Sequence, residues 1–159
     1  MTSESKGESI LISVIIPTFN RPQQLHAVLE QLSSQTLPAA WVEVVVVDDG
    51  SAQSYDSVMN DHWPFSLQLA RQENRGEIVA RIHGIEISRG DFLVFLDDDI
   101  FITPNYLRVM YDEHQRHPNA VLMGTLYPKM EQNPLSFQRF MAVEEGSLPS
   151  GEISYVEIS

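Results

Sequence analysis

The sequence predicts an α/β fold: a Rossmann-like, doubly wound and mainly parallel sheet flanked by helices. Nearly unbroken apolar runs rich in β-branched residues alternate with segments whose apolar residues recur at helical spacing. Such runs are typical of parallel strands buried on both faces, and their alternation with helices favours right-handed crossovers in one sheet. With 159 residues and 43% hydrophobic content, the chain has room for one domain with its own core. We therefore expect a disordered leader over residues 1–9 and one domain over residues 10–159.

The first part of the chain contains two predicted strands with a helix between them. The apolar run over residues 10–16 predicts a buried strand, which Pro17 is expected to end. A helix is expected to follow the turn at Asn20 and to run to about Gln35. The apolar residues that recur at helical spacing in it are Leu25, Val28, Leu29 and Leu32. Residues 42–47 predict a second buried strand, and a turn with a short helix should follow it.

The same alternation continues through the next sixty residues. A weaker third strand is predicted over residues 67–70, and a fourth over residues 92–96. Between them, residues 76–88 predict a helix that packs through an apolar stripe. The stripe consists of Ile78, Val79, Ile82 and Ile85. After the fourth strand, the pair Thr103-Pro104 is expected to open another helix, with the threonine as cap. Beyond residue 123 the pattern becomes irregular, apart from a short apolar alternation over residues 153–158.

Charge and composition exclude several classes of protein. A formal net charge of −12, with Lys and Arg unclustered, argues against a nucleic-acid partner. No apolar run approaches the length of a membrane span, and the polar start MTSESKGES lacks the features of a signal peptide. The absence of cysteine excludes disulfides, thiolate metal sites and cysteine nucleophiles. We therefore expect a cytoplasmic protein without a membrane span.

Three polar clusters follow predicted strands at the point where each strand ends. They are Pro17-Thr18-Phe19-Asn20, Asp48-Asp49-Gly50-Ser51 and Asp97-Asp98-Asp99. Ligands of open parallel sheets bind outside the carboxyl ends of the strands, where loops diverge and helix N-termini point inward. The sequence therefore predicts a ligand site at this edge of the sheet.

The three consecutive aspartates indicate a divalent cation. Adjacent carboxylates repel one another, so they destabilise the fold unless a cation or hydrogen bonds compensate. Mg²⁺ or Mn²⁺ suits oxygen ligands and usually takes one or two carboxylates, with phosphate and water in its other positions. In extended backbone, Asp97 and Asp99 would point one way and Asp98 the other. The alternative is a solvated acidic turn that serves only in capping.

Four segments together resemble a known family. They run from Ser13 to Arg21, from Val46 to Ser51, from Asn74 to Arg81 and from Gly90 to Asp99. In this order and at these intervals, they resemble the large inverting family of GT-A glycosyltransferases, glycosyltransferase family 2. The resemblance covers roughly residues 10–124. It implies a GT-A type fold, a nucleotide-diphospho-sugar donor held through Mn²⁺ or Mg²⁺, and transfer of the sugar with inversion.

The resemblance also implies roles for individual residues. Pro17, Thr18 and Phe19 would line the base, and Asp49 would accept a hydrogen bond from a uracil imide. Asp99, together with Asp97, would hold the metal, while Asp97 and Asp98 approach the ribose and the metal-bound waters. The complete set of implied nucleotide-binding residues is Pro17, Thr18, Phe19, Asn20, Asp49, Arg81, Asp97 and Asp98.

The catalytic base is expected outside the residues that carry the resemblance. In the family it lies on an acceptor-side segment well downstream of the aspartates, so here we expect it beyond Ser159. Glu144-Glu145 is the acidic pair in the last third of the chain, but it lacks the family's surrounding pattern and is interpreted as a surface pair. The acceptor-side segment is thus expected to be missing. An exposed sheet edge left in this way would favour a homodimer.

Two other functions remain open at this stage. The first is a non-catalytic nucleotide-binding or regulatory module that needs a partner for activity. The second is a phospho-receiver, which also gathers aspartates at strand ends but needs a lysine after a late strand, where Lys129 is the sole candidate. For the leading hypothesis, the acceptor is an unknown saccharide, lipid or protein.

Overall fold

The computed structural model describes residues 10–123 and a strand over residues 154–157. The chain divides into two compact units, Met1–Val109 and Met110–Ser159. The first unit contains a four-stranded parallel sheet with the strand order β3-β2-β1-β4. Its strands are β1 (Ile12–Thr18), β2 (Val42–Asp48), β3 (Ser66–Arg71) and β4 (Phe92–Phe95). Its helices are α1 (Pro22–Ser33), α2 (Asp56–Met59) and α3 (Glu77–Ile87), with a 3-10 turn over Ala39–Trp41.

The two central strands, β1 and β2, are buried along their whole length. All seven residues of each are buried, as expected for parallel strands covered on both faces. Their register pairs Ile12 with Val42 at one end and Thr18 with Asp48 at the other. This register brings the carboxyl ends of both strands to the same level. The predicted α/β class, with a mainly parallel sheet and flanking helices, is confirmed.

Pro17 does not end the first strand, as the sequence predicted, but lies inside β1. It pairs with Val47 of β2, and the strand continues to Thr18. On the opposite side, β4 pairs with β1 only as far as Ile15, whose carbonyl oxygen accepts a bond from Leu96 N at 3.1 Å. Backbone groups alternate sides along a strand, so the nitrogen of Pro17 faces the side from which β4 has already departed. The missing N–H therefore costs no ladder hydrogen bond, and proline is tolerated.

Helix α3 packs through a different face from the predicted one. Its buried residues are Ala80 and Gly84, whereas Ile78, Ile82 and Ile85 are 76%, 49% and 41% exposed. A Cβ atom added to Gly84 would lie 2.4 Å from Ile15 Cγ2, so the helix sits too close to β1 for a side chain at this position. The predicted packing face was wrong because a search for apolar residues at helical spacing selects the large ones and passes over alanine and glycine. Close helix-to-sheet packing here uses small ones.

Other boundaries shift by one to three residues. The fourth strand ends at Phe95, one residue early. Helix α4 (Tyr106–Arg116) begins after, rather than at, Thr103-Pro104. The reason is a turn in which Tyr106 N donates to Thr103 O at 3.0 Å and Thr103 Oγ1 donates to Asn105 Oδ1 at 2.8 Å. The threonine hydroxyl is thus engaged within the turn.

The second unit contains an antiparallel pair of strands that the sequence did not identify. These are β5 (Ala120–Met123) and β6 (Ser154–Glu157), and Ala120 pairs with Glu157. Residues 1–9, Lys129 and Glu144-Glu145 lie outside the described residues. In the described part of the chain, no helix is long and apolar enough to cross a membrane.

A buried polar cluster fixes the start of β4 at the amino end of the sheet. Glu43, fully buried in β2, accepts hydrogen bonds from Ser13 Oγ at 2.5 Å, Arg89 N at 2.5 Å and Arg89 Nε at 2.7 Å. Gly90 N in turn donates to Ser13 Oγ at 2.8 Å. The turn before β4 is therefore tied to both β1 and β2. This anchorage sets where β4 begins, and so where the aspartates that follow it lie.

Candidate functional site

The carboxyl ends of β1, β2 and β4 converge on one open cavity of about 430 Å³. Five acidic side chains line it beside a single arginine, so its lining is strongly negative. The lining residues are Pro17, Thr18, Phe19, Arg21, Asp49, Glu77, Asp97, Asp98 and Asp99. The polar clusters that follow β1, β2 and β4 were predicted to meet at this edge of the sheet. Each of them contributes at least one residue to the lining of the cavity.

Thr18, the last residue of β1, connects the other two clusters. Its hydroxyl donates to Asp98 Oδ2 at 2.7 Å and lies 3.0 Å from Tyr55 Oη. Its carbonyl oxygen accepts a hydrogen bond from Asp49 N at 2.9 Å. Thr18 is 4% exposed, so these bonds are formed away from water. Thr18 therefore holds the segments of Asp98 and Asp49 in place, the first through its hydroxyl and the second through its carbonyl oxygen.

The two aspartates of the turn after β2 have different roles: one closes the turn and the other lines the cavity. Asp48 is buried, and its Oδ1 accepts a hydrogen bond from Ser51 N at 2.8 Å, which closes the turn. Gly50 has φ +81°, and a Cβ there would lie 2.7 Å from Asn74 N. Glycine is therefore required at this position both by its backbone conformation and by the nearby loop. With Asp48 turned inward, Asp49 is the one that lines the cavity.

Asp49 is held rigidly by three donors. Its Oδ1 accepts from Gln72 Nε2 at 2.8 Å and Arg75 N at 2.9 Å, and its Oδ2 accepts from Gly76 N at 2.9 Å. Burial acts to raise the pKa of Asp49, but the bonds from Arg75, Gln72 and Gly76 outweigh it and hold the pKa below its usual value. A carboxylate has about four acceptor positions, so Oδ2 keeps room for one further donor.

The three aspartates after β4 pair with two arginines from separate segments of the chain. Arg21, which precedes α1, donates through one nitrogen to Asp98 Oδ1 and Asp99 Oδ2, each at 3.0 Å. Arg81, on α3, contacts Asp97 Oδ1 and Glu77 Oε1, each at 2.5 Å. Asp98 and Asp99 lie in a turn, so the extended backbone expected here is wrong. Asp98 and Asp99 therefore share a partner, and Asp97 is engaged separately.

The exposed aspartates have the chemistry that a hard divalent cation needs. The side chains of Asp97 and Asp99 are 51% and 55% exposed, and each uses one carboxylate oxygen in a described hydrogen bond. Asp98 is 4% exposed and uses both oxygens, toward Thr18 and Arg21. In the described part of the chain, no group of three or more His, Cys, Asp or Glu side chains is arranged to hold a metal ion. One or two carboxylates completed by phosphate and water nevertheless suffice for Mg²⁺ or Mn²⁺.

Two predicted site residues lie beside the cavity rather than in its lining. Asn20 adopts φ 55°, and its Oδ1 accepts from Ala52 N at 2.8 Å while its own N donates to Ser51 Oγ at 2.7 Å. It thus joins the loop after β1 to the loop after β2. Arg81 reaches the site through Asp97, and its guanidinium lies 5.8 Å from the ring centre of Phe95.

Several residues of the site gave no recognisable signal in the sequence. Tyr55, 3% exposed, places its hydroxyl 3.2 Å from Ser51 Oγ and accepts a hydrogen bond from Arg21 N. Gln72, which holds Asp49, is itself 3.2 Å from His83 Nδ1. An isolated tyrosine, glutamine or histidine forms no motif. Arg21 was part of a recognised segment, but its pairing with the aspartates depends on the fold.

Comparison with known proteins identifies the family. The family model "Glycosyl transferase family 2" matches residues 13–151. An uncharacterized glycosyltransferase of Haemophilus influenzae is 34% identical over 110 residues, which are 69% of this chain and 36% of that protein. The glucosyl-dolichyl phosphate glucuronosyltransferase of Haloferax volcanii is 28% identical over 117 residues, 71% of this chain and 37% of that protein. The chain therefore spans little more than a third of these relatives.

Solved structures show the same architecture. S. aureus TarS 1-349 in complex with UDP superposes with a TM-score of 0.68 at 26% identity, covering 78% of this chain and 38% of that one. The mannosyltransferase PcManGT of Pyrobaculum calidifontis, in complex with GDP-Man and Mn²⁺, has a TM-score of 0.67 at 24% identity and supports the fold alone. It covers 74% of this chain and 35% of that chain. With the family match extending over most of the sequence, the chain belongs to glycosyl transferase family 2.

Proposed function

We propose that this chain is the donor-binding part of a glycosyltransferase that uses a nucleotide-diphospho-sugar, with UDP as the nucleotide. The observation that carries the proposal is the single cavity that brings the fixed carboxylate of Asp49 together with Asp97, Asp98 and Asp99. TarS, 25–26% identical to this chain, has been solved with UDP and with UDP-GlcNAc, which supports this donor class.

Asp49 is the proposed reader of the base. Its three donors fix the carboxylate and leave one acceptor position on Oδ2 for an N–H of the base, such as the uracil imide. Phe19 lines the same cavity and is 44% exposed, so its ring offers an apolar surface to the base. Together with Pro17 and Thr18 it forms the proposed base pocket. Asn20 shapes that pocket by holding the neighbouring loop.

Asp99 and Asp97 are the proposed holders of a divalent cation, Mn²⁺ or Mg²⁺. Their exposed carboxylates each retain an oxygen that accepts no hydrogen bond from the described residues. Such a cation, when bound, neutralises the charge on the departing diphosphate and reverses the sign of an otherwise repulsive acidic site. Asp98, fixed by Thr18, and Arg81, which restrains Asp97, would keep this arrangement in place.

Transfer with inversion needs a base that deprotonates the acceptor hydroxyl. Each carboxylate that lines the described cavity already accepts a hydrogen bond from a donor of the chain. The oxygens of Asp97 and Asp99 that remain free are those proposed to hold the cation, so none of these carboxylates is assigned as the base. This assignment favours a second candidate function, a nucleotide-binding module whose acceptor site and base come from elsewhere. The acceptor in either case is a saccharide, lipid or protein hydroxyl. A homodimer through the edge of the sheet also remains a proposal, which light scattering would test.

The two functions separate in a transfer experiment. The 159-residue chain and the full-length gene product are each given a radiolabelled UDP-sugar and Mn²⁺, and released UDP and labelled product are measured. A transferase predicts release by the full-length product that depends on Mn²⁺. Binding of UDP-sugar without release by either protein would favour the binding module. Absence of UDP-sugar binding by both would reject the two functions together.

A further inference from the structure

Arg21 is placed where a cation is expected. It lies three residues after Thr18, the end of β1, and directly precedes Pro22, the first residue of α1, so its backbone belongs to the loop at the cavity. Its backbone N donates to Tyr55 Oη at 3.2 Å, and its guanidinium lines the cavity. A single nitrogen of that guanidinium lies 3.0 Å from Asp98 Oδ1 and 3.0 Å from Asp99 Oδ2. One positive group thus bridges two adjacent carboxylates that would otherwise repel each other.

The two ends of this bridge differ in their surroundings. The side chain of Asp98 is 6% exposed, and its other oxygen accepts the Thr18 hydroxyl at 2.7 Å. The side chain of Asp99 is 55% exposed and that of Arg21 is 49% exposed. Solvent-exposed ion pairs are weak, whereas a buried carboxylate that loses its donor is costly. The bond to Asp99 is therefore the one that can exchange for another partner.

The charge of Arg81, the second arginine of the site, is paired differently from that of Arg21. Arg81 contacts Glu77 as well as Asp97, so its charge is already shared with a carboxylate of its own helix. Within the described residues, the ion pairs of Arg21 are with Asp98 and Asp99 alone. The hydrogen bond and charge of Asp98, followed by the charge of Asp99, raise the pKa of Arg21 above its usual value. An arginine guanidinium carries its charge at any physiological pH, so Arg21 is a permanent cation at this position.

We propose that Arg21 is an internal counter-ion: it occupies the place of the divalent cation in the metal-free chain and releases Asp99 when the cation binds. In the metal-free chain it holds Asp98 and Asp99 together. When a cation takes Asp99, the guanidinium keeps its bond to Asp98 and turns its freed N–H groups toward the diphosphate of the donor. Arg21 thus first competes with the metal for Asp99 and then contacts the diphosphate of the nucleotide directly. The inference depends on the proposed function, because it requires a cation at Asp99.

Opposite effects on two ligands distinguish this role from a purely structural one. If Arg21 competes with the cation, Arg21→Gln binds Mn²⁺ alone more tightly. If Arg21 also meets the diphosphate, the same variant binds UDP more weakly when Mn²⁺ is saturating. A residue that only shaped the site would, on removal, weaken both. Arg21→Lys keeps the charge and should leave the affinity for Mn²⁺ near that of the wild type.

Isothermal titration calorimetry on the whole 159-residue chain tests the proposal. Mn²⁺ alone, and then UDP at saturating Mn²⁺, are titrated into wild type, Arg21→Gln, Arg21→Lys and the control Arg71→Gln. Arg71 has the same charge but contacts Asp48 and Ser51 rather than the three aspartates. For Arg21→Gln we expect Kd for Mn²⁺ to fall by about threefold or more, and Kd for UDP to rise by about fivefold or more. The control should change neither by as much.

The possible outcomes separate the inference from the function on which it depends. Equal or weaker Mn²⁺ binding by Arg21→Gln, with a wild type that does bind Mn²⁺, overturns the inference and leaves the metal site standing. Tighter Mn²⁺ binding by Arg21→Lys to the same extent also overturns it. A wild type that binds UDP but no Mn²⁺ rejects both. Thermal unfolding checks each variant, and if Arg21→Gln does not fold, Arg21→Ala replaces it in both titrations and is expected to give the same opposite shifts.

Discussion

Thr18 donates a 2.7 Å hydrogen bond from its hydroxyl to Asp98, and so joins the end of β1 to the acidic turn after β4. Both residues are buried, at 4% exposure each. The central strand of the sheet thereby fixes the orientation of the middle aspartate. The outer two aspartates remain exposed at the cavity.

We predict that Thr18→Val destabilises the chain and disturbs the site together. The substitution keeps the shape but removes the donor, so a buried carboxylate oxygen loses its partner at a cost of about 1–3 kcal/mol. Urea unfolding measures the loss, and calorimetry should show weaker binding of UDP with Mn²⁺. Thr18→Ser, which restores the hydroxyl, is the control. Equal stability of Thr18→Val and wild type would show that this bond does not orient Asp98.

Asp49 should govern binding of the base without involving the metal. Asp49→Asn places an amide where three donors converge, so both the fixed geometry and the acceptor for the base are impaired. We expect uridine binding to weaken by about tenfold, with or without Mn²⁺. Asp61→Asn is the matched control, because Asp61 is an exposed aspartate that pairs with His26. Unchanged uridine affinity in Asp49→Asn would remove Asp49 from the base pocket.

Glu43 should make the fold sensitive to acid. Burial acts to raise the pKa of Glu43, but hydrogen bonds from Ser13 and Arg89 and the charge of Arg89 outweigh it, so the folded-state pKa lies below its ordinary value of about 4.5. The unfolded state therefore binds the proton more readily. The contribution of Glu43 to stability is present above about pH 4.5 and is lost as pH falls through the folded pKa.

Glu43→Gln tests this linkage. At pH 7 the variant should unfold more easily by about 1–3 kcal/mol, because Arg89 and Ser13 lose a charged acceptor. The difference from wild type should narrow as the pH falls below about 4.5, the ordinary pKa of the group. Urea unfolding across pH 3–7 measures it. A difference that stays constant over this range would contradict the lowered pKa.

The packing face of α3 gives a prediction opposite to helix propensity. Alanine favours helices more than glycine, yet the Cβ of Gly84→Ala would lie 2.4 Å from Ile15 Cγ2. Crowding of this kind costs about 1–3 kcal/mol, so the variant should be less stable in urea unfolding. Ile82→Ser, on the exposed face of the same helix, should change stability by only about 0.5 kcal/mol. A larger loss of stability in Ile82→Ser than in Gly84→Ala would instead indicate that α3 packs through the isoleucine face predicted from the sequence.

The parallel sheet was predictable because its signal is local and strong. The valines of β2 and the isoleucines of β1 form runs that are typical of strands buried on both faces, and each run leads directly into a polar cluster. The place of Pro17 could not be predicted in the same way, because it depends on where β4 ends. The packing face of α3 depends on the distance between helix and sheet, which no pattern of residue types reveals.

The site was predicted as a set of strand ends but not as a network. Asp49 and the three aspartates were recognisable because acidic residues after buried strands are conspicuous. Their partners Arg21, Gln72 and Tyr55 come from three separate loops or strands, and only the fold brings them together. The different contacts of Asp97, Asp98 and Asp99 likewise depend on the turn at Asp98 and Asp99, where the sequence predicted extended backbone.

Titration of UDP into the chain in the presence of Mn²⁺ tests whether a divalent-metal nucleotide site lies at the end of β4. We expect binding that collapses when EDTA removes the metal and that is lost in Asp99→Ala. Wild-type affinity for UDP in both experiments would show that neither a metal nor Asp99 is needed.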